Sequence, residues 1–484
     1  MAATVVPPRV PALRQIGQPT QWAWRWFCYL VVRAFYRRAE VSGQEHFPAG
    51  PVIVCANHPS ALADAVIIQA ASPRIVHPLA RSGLFLNPLA RPILAAIQAV
   101  PIYRREDAGV DPARNAEAFA RCHEMLGHGA ALLIFPEGLS HSDPHLRGLK
   151  TGAARMALGM LEARGTAPAL LPVGLTFTDV GRFRSSVLVK FGRPLAVEAR
   201  PAAAPLERGA ENPESPEEAV QRLTQAIQAG LERVTLNVER WDDLELLRRL
   251  ERFFWLRRGK YRKRNLEQRF RALRKLLGAQ YRLRALDRER VSLVALRLRQ
   301  FDRLCAHCGV ADYHLSVTYT PALVARFVAR SLLVVLGGLL PAVWGAVNSL
   351  LPFLLTRALA VRLSQDRYQY DTAKITLGIF LFAGFWGAQT VLVSGLLDGA
   401  TALAYAATLL PCTMLALYFR RERERTLDNL RVFFLFLRRK ELRGFLEEKR
   451  GALEHELARL VYLALKRPGA GEAGAQPVTP AGAP

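Results

Sequence analysis

Three long apolar runs, 331–356, 376–397 and 400–419, constrain the folding of this chain more than any other feature of it. Each supplies the roughly 20 apolar residues that a helix needs to cross bilayer hydrocarbon. Open strands and loops cannot satisfy their backbone there, so these runs are predicted to be helical and the protein integral to a membrane. The first run is interrupted by Gly337-Gly338, Pro341 and Pro352. Arg326 and Arg330 precede it, Arg357, Arg362, Arg367 and Lys374 separate it from the second, and Arg420, Arg421, Arg423 and Arg425 follow the third. If all these charges stay on the cytoplasmic side, three simple crossings fail on parity. The sequence therefore predicts a transmembrane region over 321–424 built of hairpins. One covers 376–419 and turns at Asp398-Gly399, and a broken or re-entrant one surrounds Gly337 to Pro341. Three spans with a positive external loop form the alternative.

A net charge of +25 calls for an anionic partner or surface. The segment 248–303 holds twenty Lys or Arg against five Asp or Glu and so carries +15 of it, with Phe253, Phe254, Trp255 and Tyr261 interleaved. Two readings compete, a set of basic amphipathic helices on anionic headgroups and a nucleic-acid surface. The neighbouring apolar runs favour anionic membrane lipids as partners and no nucleic acid. The six cysteines are scattered, which fits a reducing compartment better than a disulfide framework. Cys305-Ala306-His307-Cys308 matches no common zinc spacing, and no metal is predicted.

Residues 1–18 are rich in proline and lack the apolar core of a cleavable signal. Trp22, Trp24 and Trp26, beside Arg25 and Arg33, then suit a helix in the membrane interface within 1–40, or one packed on its own domain. From 41 to 199 the pattern alternates apolar strands (52–56, 75–80, 100–103, 131–135, 170–177, 187–191) with helices (61–71, 84–97, 114–126, 151–163). This is an α/β pattern, and continuous apolar strands imply a sheet covered on both faces. A proline- and alanine-rich linker fills 200–216, and Ser215-Pro216-Glu217-Glu218 carries the signals of a helix start. The helix it opens leads a basic helical membrane-surface region, 217–320. Residues 425–467 read as a charged amphipathic helix and 468–484 as a disordered tail.

The chemistry-bearing residues cluster at strand ends of the α/β segment. His58 and Asp64 follow the strand 52–56 and pair an imidazole with a carboxylate. A histidine can take a proton from an alcohol near neutral pH if a carboxylate fixes its tautomer and stabilises the imidazolium. Metal coordination by the same two residues is the other chemical reading, and it lacks further ligands. Arg104 and Arg105 end the strand 100–103 with two guanidinium groups, which suit bidentate binding of a phosphate monoester. Phe135-Pro136-Glu137-Gly138 forms a turn after another strand, with Gly138 allowing close backbone approach and Ser140 and His141 adding polar groups. Leu171-Pro172-Val173-Gly174 reads as an edge or core strand, or as a wall for an acyl chain.

Together, and in this order, these four blocks resemble the glycerolipid acyltransferase family over about residues 40–195. The resemblance implies a mixed sheet flanked by helices and acyl transfer to glycerol-3-phosphate or lysophosphatidic acid. It implies that His58 is the general base and Asp64 its orienting partner. It also implies that Arg104, or Arg105 one register along, contacts the acceptor phosphate, that Glu137 and Gly138 help bind the acceptor, and that Pro172 belongs to the acyl side. The donor would be acyl-CoA or acyl carrier protein, used as co-substrate with no resident cofactor. Phe135 to His141, with Leu149-Lys150-Thr151-Gly152 downstream, looks like the branch that includes fungal membrane-bound glycerol-3-phosphate or dihydroxyacetone-phosphate acyltransferases.

One departure stands out. Five residues separate His58 from Asp64 where the family more often has four. Six positions are about 600° of rotation in a regular helix, so the two cannot share a helical face. The extra residue must be absorbed around Pro59-Ser60 before the helix starts. The implied mechanism has His58 deprotonate an acceptor hydroxyl that attacks an acyl thioester, with the catalytic domain on the cytoplasmic side. A non-catalytic, lipid-binding or scaffolding protein of the same fold is the alternative, and the shifted spacing is its support.

Overall fold

Val52-Ile53-Val54-Cys55-Ala56, rich in β-branched residues and followed by Pro59, forms the inner strand of an eight-stranded sheet. The computed structural model describes residues 3–4, 19–86, 91–103, 114–197, 215–257, 265–286, 288–315, 321–364, 366 and 369–466. Its strands are β1 (Ala3–Thr4), β2 (Arg38–Ser42), β3 (Val52–Ala56), β4 (His77–Arg81), β5 (Val100–Ile102), β6 (Ala131–Ile134), β7 (Ala169–Phe177) and β8 (Ser186–Phe191). The helices of the α/β part are α1 (Pro19–Phe35), α2 (Leu62–Ala71), α3 (Arg91–Ala96), α4 (Asn115–Gly127), α5 (Gly152–Arg164) and α6 (Pro216–Val234). Beyond them lie α7 (Trp241–Arg257), α8 (Leu266–Leu286), α9 (Arg288–His307), α10 (Asp312–Leu315), α11 (Pro321–Leu363), α12 (Tyr370–Leu396), α13 (Gly399–Arg438) and α14 (Lys440–Lys466).

The sheet order is β1-β2-β8-β7-β3-β6-β4-β5. β3 runs parallel to both β7 and β6, which pair Val52 with Ala169 on one side and Ala131 on the other. β7–β8 and β1–β2 are antiparallel, so the sheet is mixed, as the resemblance implied. Every residue of β3 is buried, because helices cover both faces. Val54 and Ala56 meet Cys28 and Val32 of α1 and Val66 and Ile67 of α2. Ile53 and Cys55 point the other way, into Met156 and Met160 of α5 and Ile227 and Leu231 of α6. Emptying one of these positions, as in Ile53→Ala, costs about 2–5 kcal/mol.

Several expectations change. A strand the sequence reading missed, β2, carries Arg38 and Glu40 and has no apolar run, yet it pairs in parallel with β8 through all five residues. The domain therefore starts before residue 41. The expected helix 84–97 is a 3₁₀ turn, Ser82–Leu86, and then only α3. The helix expected to lead the basic region, α6, instead covers the sheet, since Leu223, Ile227, Leu231 and Val234 fall on one face. Gly230 lets it come close: a Cβ there would stand 2.6 Å from Pro172 Cγ. The interface-or-core question for α1 resolves to core for Cys28, Val32 and Phe35, while Trp22, Phe27 and Leu30 face outward. Arg25 donates to the carbonyls of Ser72 and Pro73, both at 3.0 Å.

Among the described residues, three segments are long and apolar enough to cross a membrane: Gly337–Leu363, Tyr370–Leu396 and Gly399–Arg420. The last two form the expected hairpin, with Asp398 capping α13 by accepting from Thr401 N at 2.8 Å. The break expected around Gly337 to Pro341 does not occur, and α11 continues through 43 residues. Proline removes the bond to the carbonyl four residues earlier. For Pro352 that carbonyl is Asn348, which accepts from Gln389 Nε2 of α12 at 3.2 Å. Thr356 Oγ1 also donates to Pro352 O at 2.7 Å, so the polar groups around Pro352 are bonded.

The chain divides into two units. The first holds the sheet and 332–422. The second comprises 245–264, 271–331 and 423–484. Its core joins Val294, Phe301 and Cys305 of α9 to Leu446, Leu453 and Leu457 of α14 and to Val432 and Phe436 of α13. Arg249 pairs with Asp302 at 2.6 Å and Arg297 with Glu456 at 2.8 Å. His307 Nδ1 lies 3.1 Å from Arg303 O, one turn back along its own helix, while Cys305 is buried in that core. The single amphipathic helix expected over 425–467 is the end of α13 followed by α14.

Candidate active site

Past the end of β3, Asn57 extends the sheet by one residue. Its Nδ2 donates to Leu175 O at 3.1 Å and its Oδ1 accepts from Leu175 N at 2.7 Å. The chain then turns through Pro59 and Ser60 and reaches Ala61, whose φ of 49° lies in the left-handed region that side chains other than glycine rarely adopt. Helix α2 begins at the next residue. The extra residue between His58 and Asp64 is thus absorbed ahead of the helix, and His58 Nδ1 comes within 3.0 Å of Asp64 Oδ2. A carboxylate only accepts, so Nδ1 carries the proton and Nε2 is the nitrogen left for a substrate. The imidazole stacks on Phe135, with centroids 3.8 Å apart and planes 12° from parallel, which fixes its tilt.

Asp64 is fully buried. Burial pushes its carboxyl up to about 6, against the opposing pull of His58 and of the Ser60 amide. Ser60 N donates to the same Oδ2 at 2.7 Å.

The turn after β6 braces the first one. Gly138 has φ 76°, which a residue with a Cβ would adopt at a cost. Glu137 is buried, and its carboxylate accepts from His58 N (3.1 Å), from Arg147 N (2.9 Å) and from His141 Nε2. His141 N in turn donates to His58 O at 3.3 Å. Glu137, predicted from the resemblance to help bind the acceptor, is therefore engaged by three donors of its own chain and holds the His58 backbone. Ser140 is half-buried on the same turn.

His58, Asn57, Glu137 and His141 open onto one cavity, completed by Asp143, His145 and the stretch Thr235-Leu236-Asn237 that follows α6. Asn237 anchors that wall by accepting from Leu146 N at 2.8 Å. Its part in the site has no signal in the local sequence. Pro172 is not among the residues lining the cavity; it sits in mid-sheet beside Cys55 and packs under α6 at Gly230. Arg104 and Arg105 lie outside the described residues. Among the described residues no group of three or more His, Cys, Asp or Glu is arranged to hold a metal ion.

Residues 38–176 match the family model described as Acyltransferase. Glycerol-3-phosphate O-acyltransferase 1 of Saccharomyces cerevisiae is 32% identical over 139 residues, 28% of this chain and 17% of that protein. A chloroplastic 1-acyl-sn-glycerol-3-phosphate acyltransferase, LPAT1 of Arabidopsis thaliana, is 27% identical over 151 residues, 31% of this chain and 38% of that one. The chain thus spans well under half the length of either relative it matches. Among solved structures, the 1-acyl-sn-glycerophosphate (LPA) acyltransferase PlsC of Thermotoga maritima has 19% identity and a TM-score of 0.32, covering 45% of this chain and 84% of that one.

Proposed function

We propose that the protein transfers a fatty acyl group from an acyl thioester to a hydroxyl of a glycerophosphate acceptor, a reading supported by the match of residues 38–176 to the acyltransferase family model. The observation that carries this reading is the buried Asp64 carboxylate 3.0 Å from His58 Nδ1, with the same imidazole facing the cavity. His58 Nε2 takes the proton of the acceptor hydroxyl, and the oxygen attacks the thioester carbonyl carbon. The tetrahedral intermediate collapses with cleavage of the C–S bond, and the imidazolium returns its proton to the leaving thiolate. Asp64 holds the tautomer and stabilises the imidazolium, the role a carboxylate plays beside a histidine base. A thioester is already activated, so no serine or cysteine nucleophile is required.

Glycerol-3-phosphate, lysophosphatidic acid and dihydroxyacetone phosphate are the acceptors to test, with acyl-CoA and acyl carrier protein as donors. The protein is proposed to be integral, with the catalytic domain on the cytoplasmic side. Lys374 near the start of α12 and Arg420 at the end of the third apolar segment mark one face of the hairpin that α12 and α13 form. The opposite turn, at Asp398, carries no Lys or Arg. Anionic lipid is the partner that the basic segment suits best.

The test is acyl transfer by the purified, detergent-solubilised protein to each acceptor in parallel, with His58→Ala as blank. Product that disappears in the variant supports the reading. Transfer equal in both, or none with every donor, overturns it.

A further inference from the structure

Asp371 is a buried carboxylate for which the acyl-transfer step has no use. It is the second residue of α12, at the start of a segment apolar enough to span a membrane. Taking a carboxylate out of water is expensive unless donors surround it. Here one oxygen, Oδ2, accepts from three elements: Ser60 Oγ at 3.1 Å, Gly181 N at 3.1 Å and Tyr36 OH at 3.4 Å. The next residue, Thr372, grips the same turn. Its hydroxyl donates to Ser60 O at 3.1 Å and accepts from Ala63 N at 3.3 Å. Those two groups flank Ala61, the strained residue that absorbs the extra position between His58 and Asp64. Lys374 adds a bond to Gly181 O at 2.6 Å.

These contacts converge on Ser60, whose amide is the second donor to Asp64 Oδ2. We infer that Asp371 and Thr372 are positioning residues for the His58–Asp64 pair, acting through Ser60 and the first turn of α2. An N-terminus such as that of α2 needs acceptors for its amides, and Ala61 supplies no side-chain cap. The membrane helix provides one from outside. The base is therefore complete only when α12 is seated against the α/β domain. This inference deepens the acyl-transfer reading and rests on it for its kinetic consequence alone.

The test uses the full chain in detergent, comparing wild type with Asp371→Ala, Asp371→Asn and Thr372→Val, and with Asp398→Asn as a control at the far turn of the hairpin. Asp371→Ala is expected to lower kcat on the order of 10- to 100-fold with acceptor KM within about twofold, as misplacement of a catalytic group does. Asparagine keeps an oxygen for Ser60 and Gly181, so Asp371→Asn is expected within about threefold of wild type, since hydrogen bonds to a neutral acceptor are weaker but present. Nitrogen-15 spectra of histidine-labelled protein, with the His58 signal identified by its loss in His58→Gln, follow the Nδ1–H tautomer without turnover. That signal is expected to broaden or shift in Asp371→Ala and to return in Asp371→Asn. Unchanged kcat and an unchanged His58 signal in Asp371→Ala overturn the inference and leave the function standing. Equal losses in Ala and Asn variants, in step with a lower folded fraction on size exclusion, also overturn it. A wild type that acylates no acceptor, with a His58 signal that still depends on Asp371, leaves the positioning role standing and removes the acyl-transfer reading.

Discussion

Helices α6 and α2 begin in opposite ways. α6 is capped by its own residues: Ser215 Oγ accepts from Glu218 N at 3.3 Å, Glu218 Oε2 accepts from Ser215 N at 2.8 Å, and proline occupies the first turn. α2 has alanine at that position, with a positive φ of 49°, and the Ala63 amide of its first turn donates to Thr372 Oγ1, 309 residues away. The first helix only covers the sheet. The second carries the carboxylate that orients the proposed base, and its start is held by tertiary structure, so it can be strained and still be exact in position.

That contrast can be broken at several points. The largest effect is expected from His58→Ala, which should lower transfer by about 10⁴-fold with the fold retained, since the loss is chemical. Asp64→Asn should follow at about 10³-fold, because an amide can present a donor to Nδ1 and select the wrong tautomer. Circular dichroism on both variants would show whether the fold is retained.

The pH dependence of Asp64 runs in two directions. Its folded carboxyl titrates at about 6, above the roughly 3.9 of an unfolded chain. Folding therefore favours its protonated form. That contribution to stability is complete below pH ~4 and is lost as pH rises through about 6. Transfer should rise over the same interval as the carboxylate forms. Urea midpoints and kcat measured from pH 4 to 8 should move oppositely, and Asp64→Asn should flatten the part of the stability curve that the carboxyl contributes.

Smaller effects separate the two caps. Thr372→Val should weaken the start of α2 by about 1 kcal/mol, seen as faster hydrogen exchange at Ala63, and should lower kcat. Ser215→Ala should cost about the same in global stability and leave transfer unchanged. Equal transfer in both variants would erase the distinction drawn between them.

Much of this was legible beforehand. The inner strands have apolar runs of the right length, His58 and the Phe135 to Gly138 turn sit at strand ends, and Asp64 lies in the helix that follows the first of them. β2 was not legible, because Glu40 and Ser42 are buried against groups distant in sequence: Glu40 accepts from Leu266 N at 2.6 Å, and Ser42 donates to Glu267 at 2.9 Å. Asn57 and Asn237 were missed for the same reason, since an amide's partner cannot be read from its neighbours. A faint signal existed for Asp371, an acid in the first turn of a helix otherwise apolar for most of its length.

The sequence alone determined what depends on local periodicity and composition: the α/β segment, the apolar helices, the cap of α6, and a histidine and carboxylate close enough along the chain to meet. Tertiary structure decided the rest. It chose Ala61 as the residue that absorbs the extra spacing, turned Glu137 into a brace for His58, and gave the Asn348 carbonyl, freed by Pro352, a partner on α12. Each of these outcomes depends on hydrogen-bonding groups that must be satisfied once buried, and their partners are brought within reach only when the whole chain has folded.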